Sequence, residues 1–216
     1  MRLTDRQLNR ATLARQLLLE RARLDPVAAI EALGGLQAQE PASPYLALWT
    51  RLVAFEPDDL SRALHRRELV KATLGRSTLH IVSAADYRGS VTALLAVTRS
   101  RWMQELRGRP VERTLPALTE DALTFASVPR TNVELRDHAG TLGEPVAPDE
   151  LWRRIRRHGA FVHVPGSEPW AYGRRPVQVA ARAWLPAPEP HEDAALEHLV
   201  RTHLRAFGPA RLADIT

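Results

Sequence analysis

Apolar positions recur at helical spacing from the start of the chain. Leu8, Leu13, Leu17 and the Leu18-Leu19 pair follow Thr4 and Gln7, whose spacing is that of a capping box, and predict a helix to about Arg23. Asp25-Pro26, an N-cap followed by proline at the first helical position, opens a second helix to Leu33, where Gly34-Gly35 stops it. Ser43-Pro44 opens a third, to about Leu52. Glu56-Pro57 opens a fourth, in which Leu60 and Leu64 stand at i, i+4 spacing. The period then falls to two. Residues 69–74 and 78–82 read as strands around the turn Gly75-Arg76-Ser77, and Ser83 caps a further helix with Asp86 in its first turn.

The order then repeats. Residues 119–126 are helical, Thr131 and Glu134 form a second capping box, and Pro148 opens a helix through Trp152 and Ile155 that Gly159 ends. Residues 160–164 read as a strand, 165–169 as a turn, and the return strand is either 170–172 or 177–184. Helices followed by a hairpin, twice over, is a winged-helix pattern. The expected fold is mostly α with small β-hairpin wings: a first module over residues 1–106 and a second over 107–185. Three prolines in residues 186–190 make a linker, because proline continues neither a helix nor a central strand. Residues 191–216 then read as the start of an incomplete third module, which suggests a fragment of a longer protein.

Composition narrows this picture. The 216 residues, 44% hydrophobic and 25% charged, suit one or two globular domains, and no apolar run is long enough for a membrane span or a signal peptide, so a cytoplasmic, nucleoid-associated monomer is expected. There is no cysteine, which excludes disulfides, zinc fingers and thiol catalysis. The eight histidines show no metal-ligand spacing, and no metal or cofactor is expected. Of 30 basic residues all but Lys71 are arginine, and the net charge is +5. Arginine reads phosphate and guanine bidentately, which suits double-stranded DNA, although arginine-for-lysine usage throughout a GC-rich coding sequence gives the same count.

Four segments carry a resemblance: residues 8–16 (LNRATLARQ), 33–41 (LGGLQAQEP), 44–49 (PYLALW) and 76–87 (RSTLHIVSAADY). With them the sequence resembles the tandem winged-helix DNA-binding family that includes the AlkZ- and YcaQ-type DNA glycosylases. Residues 186–190 (PAPEP) and 207–210 (FGPA) are similar to the start of that family's third winged helix. The resemblance implies hydrolysis of the N-glycosidic bond of alkylated purines and, for some members, unhooking of interstrand crosslinks. It assigns base excision to a Gln-x-Gln motif, which falls here on Gln37 and Gln39.

Glutamine is a poor acid and a poor base, so the motif needs a chemical reason. An N7-alkylated purine is already a cation and leaves without protonation, so the general acid of ordinary glycoside hydrolysis is dispensable. What remains is to orient a water and stabilise an oxocarbenium-like sugar. An amide carbonyl accepts from water and an amide NH₂ donates to a sugar or phosphate oxygen. Residues i and i+2 share a face only in extended or turned backbone, and Pro41 biases Glu40 away from helix. With Lys71 expected to stand apart from the motif on its strand, a Schiff base is not expected, and excision is read as monofunctional.

Other candidates each carry a plain alternative. Arg76, Thr78 and His80 on the first hairpin, and Arg174 and Arg175 on the second, could contact phosphate; Arg76 could equally be an ordinary turn residue and His80 a half-buried structural one. Arg153 and Arg157, on a helix that also carries Arg154 and Arg156, could meet the DNA backbone or only solvent. The tryptophans could stack on bases, but Trp49 and Trp152 sit on apolar helix faces and are expected in the core. Glu40 is the fallback base, and Asp86 is assigned to its helix cap. The rival function is a non-catalytic winged-helix DNA-binding protein: a transcription regulator, or one that sequesters damaged DNA.

Overall fold

The computed structural model describes residues 3–105, 114–185 and 190–214, without the side chains of Arg76, residues 98–105 and Asp214. Within these residues it is a mixed α/β fold of ten α-helices and one six-stranded antiparallel sheet.

The first half follows its local signals closely. Helix α1 (Asp5–Arg15) opens on the Thr4–Gln7 capping box, but ends well before Arg23. The reason is tertiary. Backbone turns left-handed at Leu17 (φ 54°), and the Arg15 and Gln16 side chains donate, each at 2.9 Å, to the carbonyls of Arg205 and Ala206. Those carbonyls lie in the last turn of α10 (Glu192–Phe207), where intrahelical partners are missing. Helix α2 (Pro26–Leu33) is capped by the Asp25 carboxylate at Ala28 N–H and ends on left-handed Gly34. Strand β1 (Leu36–Gln37), which periodicity does not reveal, follows directly, then α3 (Ser43–Arg51) and α4 (Pro57–His65). Strands β2 (Leu69–Thr73) and β3 (Leu79–Ser83) make the expected hairpin around a 3₁₀ turn at Gly75–Ser77. Helix α5 (Ala84–Glu105) begins at Ser83, whose hydroxyl accepts from Asp86 N–H at 3.1 Å.

The second half repeats the order: α6 (Leu115–Phe125), β4 (Arg130–Thr131), α7 (Asn132–Gly140), α8 (Pro148–His158), β5 (Phe161–His163) and β6 (Val177–Ala180). The return strand is therefore the later of the two candidates. Trp170 lies in a short 3₁₀ segment instead, and Ala181–Trp184 forms a single helical turn, α9.

The two hairpins are not separate. Sheet order is β1-β3-β2-β5-β6-β4, and the seam is the pairing of Lys71 with His163 and of Ala72 with Val162. One register row, Leu36–Ile81–Lys71–His163–Gln178–Arg130, therefore shares a sheet face, while Gln37, His80, Ala72, Val162 and Val179 share the other. On the first face, β1 and the Leu69 and Ile81 ends of β2 and β3 pack on α2, α3 and α4 through Ile30, Leu33, Leu48, Leu60 and Leu64. Each of these five is at most 1% exposed, and burial of such a side chain stabilises by roughly 2 kcal/mol. Tyr87 and Val91 of α5 cover Val70, Val82, Val162 and Val179 on the other face. A third cluster holds α6, α7 and α8 against Phe161 and Ala180.

Asp86 is more than a cap residue: its buried carboxylate pairs with His198 at 3.0 Å and Arg205 at 3.1 Å, tying α5 to α10. Residues 186–189 of the expected linker lie outside the described residues.

Candidate active site

Burial alternates along the motif. Leu36 and Ala38 are buried while Gln37 and Gln39 are exposed. The segment is extended along the free edge of the sheet, with Ala38 N–H donating to Leu79 carbonyl at 2.7 Å. The backbone then bends away, and the ladder is continued by a side chain: Leu79 N–H donates to Gln39 Oε1 at 3.3 Å. A backbone donor settles the orientation of this amide, so the Gln39 NH₂ points away from the ladder as a pair of donors with no partner among the described residues. Gln37 lies opposite His80 on the neighbouring strand. Gly34 and Gly35, with φ of 71° and 101°, make the turn into β1.

Beside Gln39 lies an open groove of about 800 Å³. Its floor is Lys71, His163 and Gln178, one register row across the seam, and its walls are the Gln39–Ala42 segment and the loop between β5 and β6. Lys71, Arg156, Arg174 and Arg175 line it against the carboxylates of Glu40 and Glu168. Lys71 is 4% exposed, and its ammonium sits over the Tyr172 ring, 4.4 Å from the centroid. Burial lowers the Lys71 pKa and the Glu40 charge opposes that shift. His163 is held neutral: burial first, then Lys71 and Arg156, push its pKa down to about 3. Desolvation lowers Arg156, with Arg157 and Arg153 adding to it, and burial raises the Tyr172 hydroxyl, with Tyr45 adding to that.

The predicted residues separate into groups. Gln39, Arg174 and Arg175 line the groove, while Gln37 and His80 share the other face of the sheet edge. His80 is half-buried, its Nδ1 3.1 Å from the Thr78 carbonyl. The Thr78 hydroxyl donates to the Gly75 carbonyl at 3.0 Å and so closes the turn. Arg76 lies in that turn, its side chain outside the described set. Arg153 is exposed and pairs with Glu150 at 2.5 Å; Arg157 is exposed near the end of α8. Arg156, which sequence reasoning passed over for its neighbours, is the arginine of α8 that lines the groove. Lys71, His163, Gln178 and Asn132 were missed as well. For Lys71, His163 and Gln178 the one sequence signal is a charged or polar residue inside an otherwise apolar strand, as in LVKAT; Asn132, the first residue of α7, carries no such signal.

Trp152 is 4% exposed and donates to Asn132 Oδ1 at 2.7 Å, as a core tryptophan should. Trp49, expected beside it in the core, is instead 57% exposed with Arg21 over its ring, because it sits on the solvent side of α3. Trp170, exposed and at φ 63°, stands on the groove rim. Trp184 stacks under Arg67, and Trp102 lies outside the described side chains.

Fold and groove together define a mixed α/β protein whose antiparallel sheet floors an open, cation-lined groove. The chain belongs to the AlkZ-like DNA glycosylase family, whose model matches residues 30–216. Among solved structures it is similar to Streptomyces sahachiroi DNA glycosylase AlkZ, with a TM-score of 0.77 at 21% identity over 97% of this chain. The chain spans 59% of the length of that protein. No curated protein matches the sequence.

Proposed function

We propose that the chain is the groove-bearing part of a DNA repair glycosylase that removes N7-cationic alkylated purines from duplex DNA and unhooks crosslinks made through such bases. We further read it as two winged-helix modules, residues 1–106 and 107–185, and the start of a third at 191–216, working in the cytoplasm on nucleoid DNA as a monomer. The observation that carries this reading is the exposed Gln39 amide at a free sheet edge beside a basic groove, with Gln37 exposed on the other face of the same edge. Arg174, Arg175 and Arg156 hold phosphates, and Arg76, Thr78, His80, Arg153 and Arg157 extend that contact.

The two amides divide the work. Gln39 Oε1 is engaged by Leu79 N–H, so its NH₂ donates to a sugar or phosphate oxygen. The Gln37 carbonyl, on the other side of the same edge, is left to accept from a water that attacks the sugar from that side. The base leaves with the C1′–N9 bonding pair, which neutralises its positive charge and leaves the cation on the sugar, so no proton need move before the bond breaks. Water is the nucleophile in this step, so base release itself leaves the strand intact. Glu40 beside the motif faces the developing sugar cation.

The test is incubation with an N7-methylguanine duplex followed by alkali, which reveals abasic sites. Gln37→Ala with Gln39→Ala is expected to lower base release by ~10²–10³-fold while leaving DNA affinity within a few-fold. No release by the wild type, or release indifferent to the double change, removes the enzyme and leaves a DNA-binding protein; tight preference for one undamaged operator identifies a regulator.

A further inference from the structure

The sequence holds one lysine among 29 arginines. The fold puts it at the middle of the groove floor, on the strand next to β3. Gln39 is bonded to Leu79; Lys71 is one strand over and two positions along, about 8 Å away on ordinary sheet spacings. That distance is on the scale of one nucleotide. Among the described residues no carboxylate pairs with the Lys71 ammonium and no acceptor bonds it; its contact is the face of Tyr172. Arginine at this position would hold phosphate at least as well. What lysine adds is an amine that can be uncharged when buried, the form that attacks a carbonyl.

We propose that Lys71 is the nucleophile of a second activity, incision of the DNA strand at an abasic site held in the groove. This inference rests on the glycosylase reading for its substrate, since base release leaves an abasic sugar at this place. The neutral amine attacks C1′ of the ring-opened aldehyde, and the carbinolamine loses water to give a protonated imine. The Glu40 carboxylate removes a C2′ proton, the freed pair forms the C2′–C3′ double bond, and the C3′–O bond breaks to expel the 3′ phosphate. Water then hydrolyses the imine and returns the amine. The expectation of an intact strand assumed that no lysine stands near the motif; the pairing of β2 with β3, which carries the motif on its other edge, brings Lys71 there. Glu40 lines the same groove, and its charge is felt at Lys71.

The experiment uses a duplex carrying a preformed abasic site, so its outcome is independent of base release, and the two readings fail separately. Full-length protein is mixed with this duplex and sodium borohydride, which reduces the imine to a stable amine, and the adduct is digested and mapped. The expected result is a protein–DNA adduct on Lys71, with strand scission at least about tenfold above that of Lys71→Arg. Glu40→Gln is expected to keep the adduct and slow scission. No adduct, or an adduct mapped to the α-amino group of Met1, overturns the proposal whether or not any variant folds.

Discussion

Replacing Gly35 by alanine tests whether the turn before β1 holds the motif in place. Gly35 has φ of 101°, outside the region open to residues with a Cβ, and its N–H donates to Ile30 carbonyl at 2.9 Å to close the end of α2. A Cβ added there would stand 2.8 Å from Val82 Cγ1 and 3.3 Å from the Ile81 carbonyl oxygen, both on β3. The backbone conformation costs a non-glycine residue about 1–3 kcal/mol. Moving buried Val82 off its rotamer adds roughly 0.5–1.5 kcal/mol. The sum is roughly 1.5–4.5 kcal/mol, or a fall in Tm of roughly 3–18 °C for a chain of this size. Gly75→Ala is the control: no atom lies within 4 Å of its Cβ position and its φ is not in the strained region, so it should stay within about 0.5 kcal/mol of wild type. Thermal melts of the two variants, read beside base release at a temperature where both are folded, make the comparison. Gly35→Ala should lose activity beyond its unfolded fraction, because the added methyl pushes β1 off β3. A Gly35→Ala melt within about 2 °C of wild type refutes the strain argument.

Two further outcomes follow from the groove. His163 titrates near 6.5 when unfolded and at about 3 when folded, so the folded state binds fewer protons and stability is lost as pH falls from 6.5 toward 3. Urea titrations of the wild type should show about 1.5–2 kcal/mol less stability from this group at pH 5 than at pH 6.5, and His163→Gln should flatten that slope. Arg174→Ala and Arg175→Ala should each weaken DNA binding irrespective of sequence and reduce the salt dependence of log K by about one unit; an unchanged slope takes that arginine off the phosphate backbone.

What the sequence made legible is what lies within about a dozen residues. Asp25-Pro26, Thr131–Glu134 and Gly159 mark helix ends because a cap is chemistry between residues three or four apart. The LVKAT and LHIVS strands were visible because the turn between them is short. Strands β1 and β4, two residues each, are too brief to show a period, and they exist because a neighbouring strand supplies partners. Helix α1 was read too long because its leucines continue, while the carbonyls that draw Arg15 and Gln16 away belong to α10, 190 residues further on. Trp49 went astray for a similar reason: an apolar helix face is buried only where another element reaches it.

The groove is the strongest case of such non-local chemistry. Each hairpin alone would present a polar residue on one face of a strand, Lys71 on the first and His163 on the second, with no reason to single out either. Pairing β2 with β5 makes them neighbours, and Gln178 on β6 extends the row. Once together they alter one another: the Lys71 charge helps hold His163 neutral, and the surroundings that desolvate both lower the affinity of the lysine for its own proton. On the proposed function, a neutral histidine, an amide and a desolvated lysine under a rim of arginines make a floor for a nucleotide's polar edges while the rim holds its phosphates. Disrupting the seam should therefore cost function before it costs either helical cluster, since the packing of α2, α3 and α4 and that of α6, α7 and α8 lie on separate sets of buried side chains. Ala72, wholly buried opposite Val162 under Tyr87 and Val91, is the place to do it: a larger residue there pushes α5 off the sheet face over the seam, and DNA-dependent activity should fall while the far-UV helical signal persists.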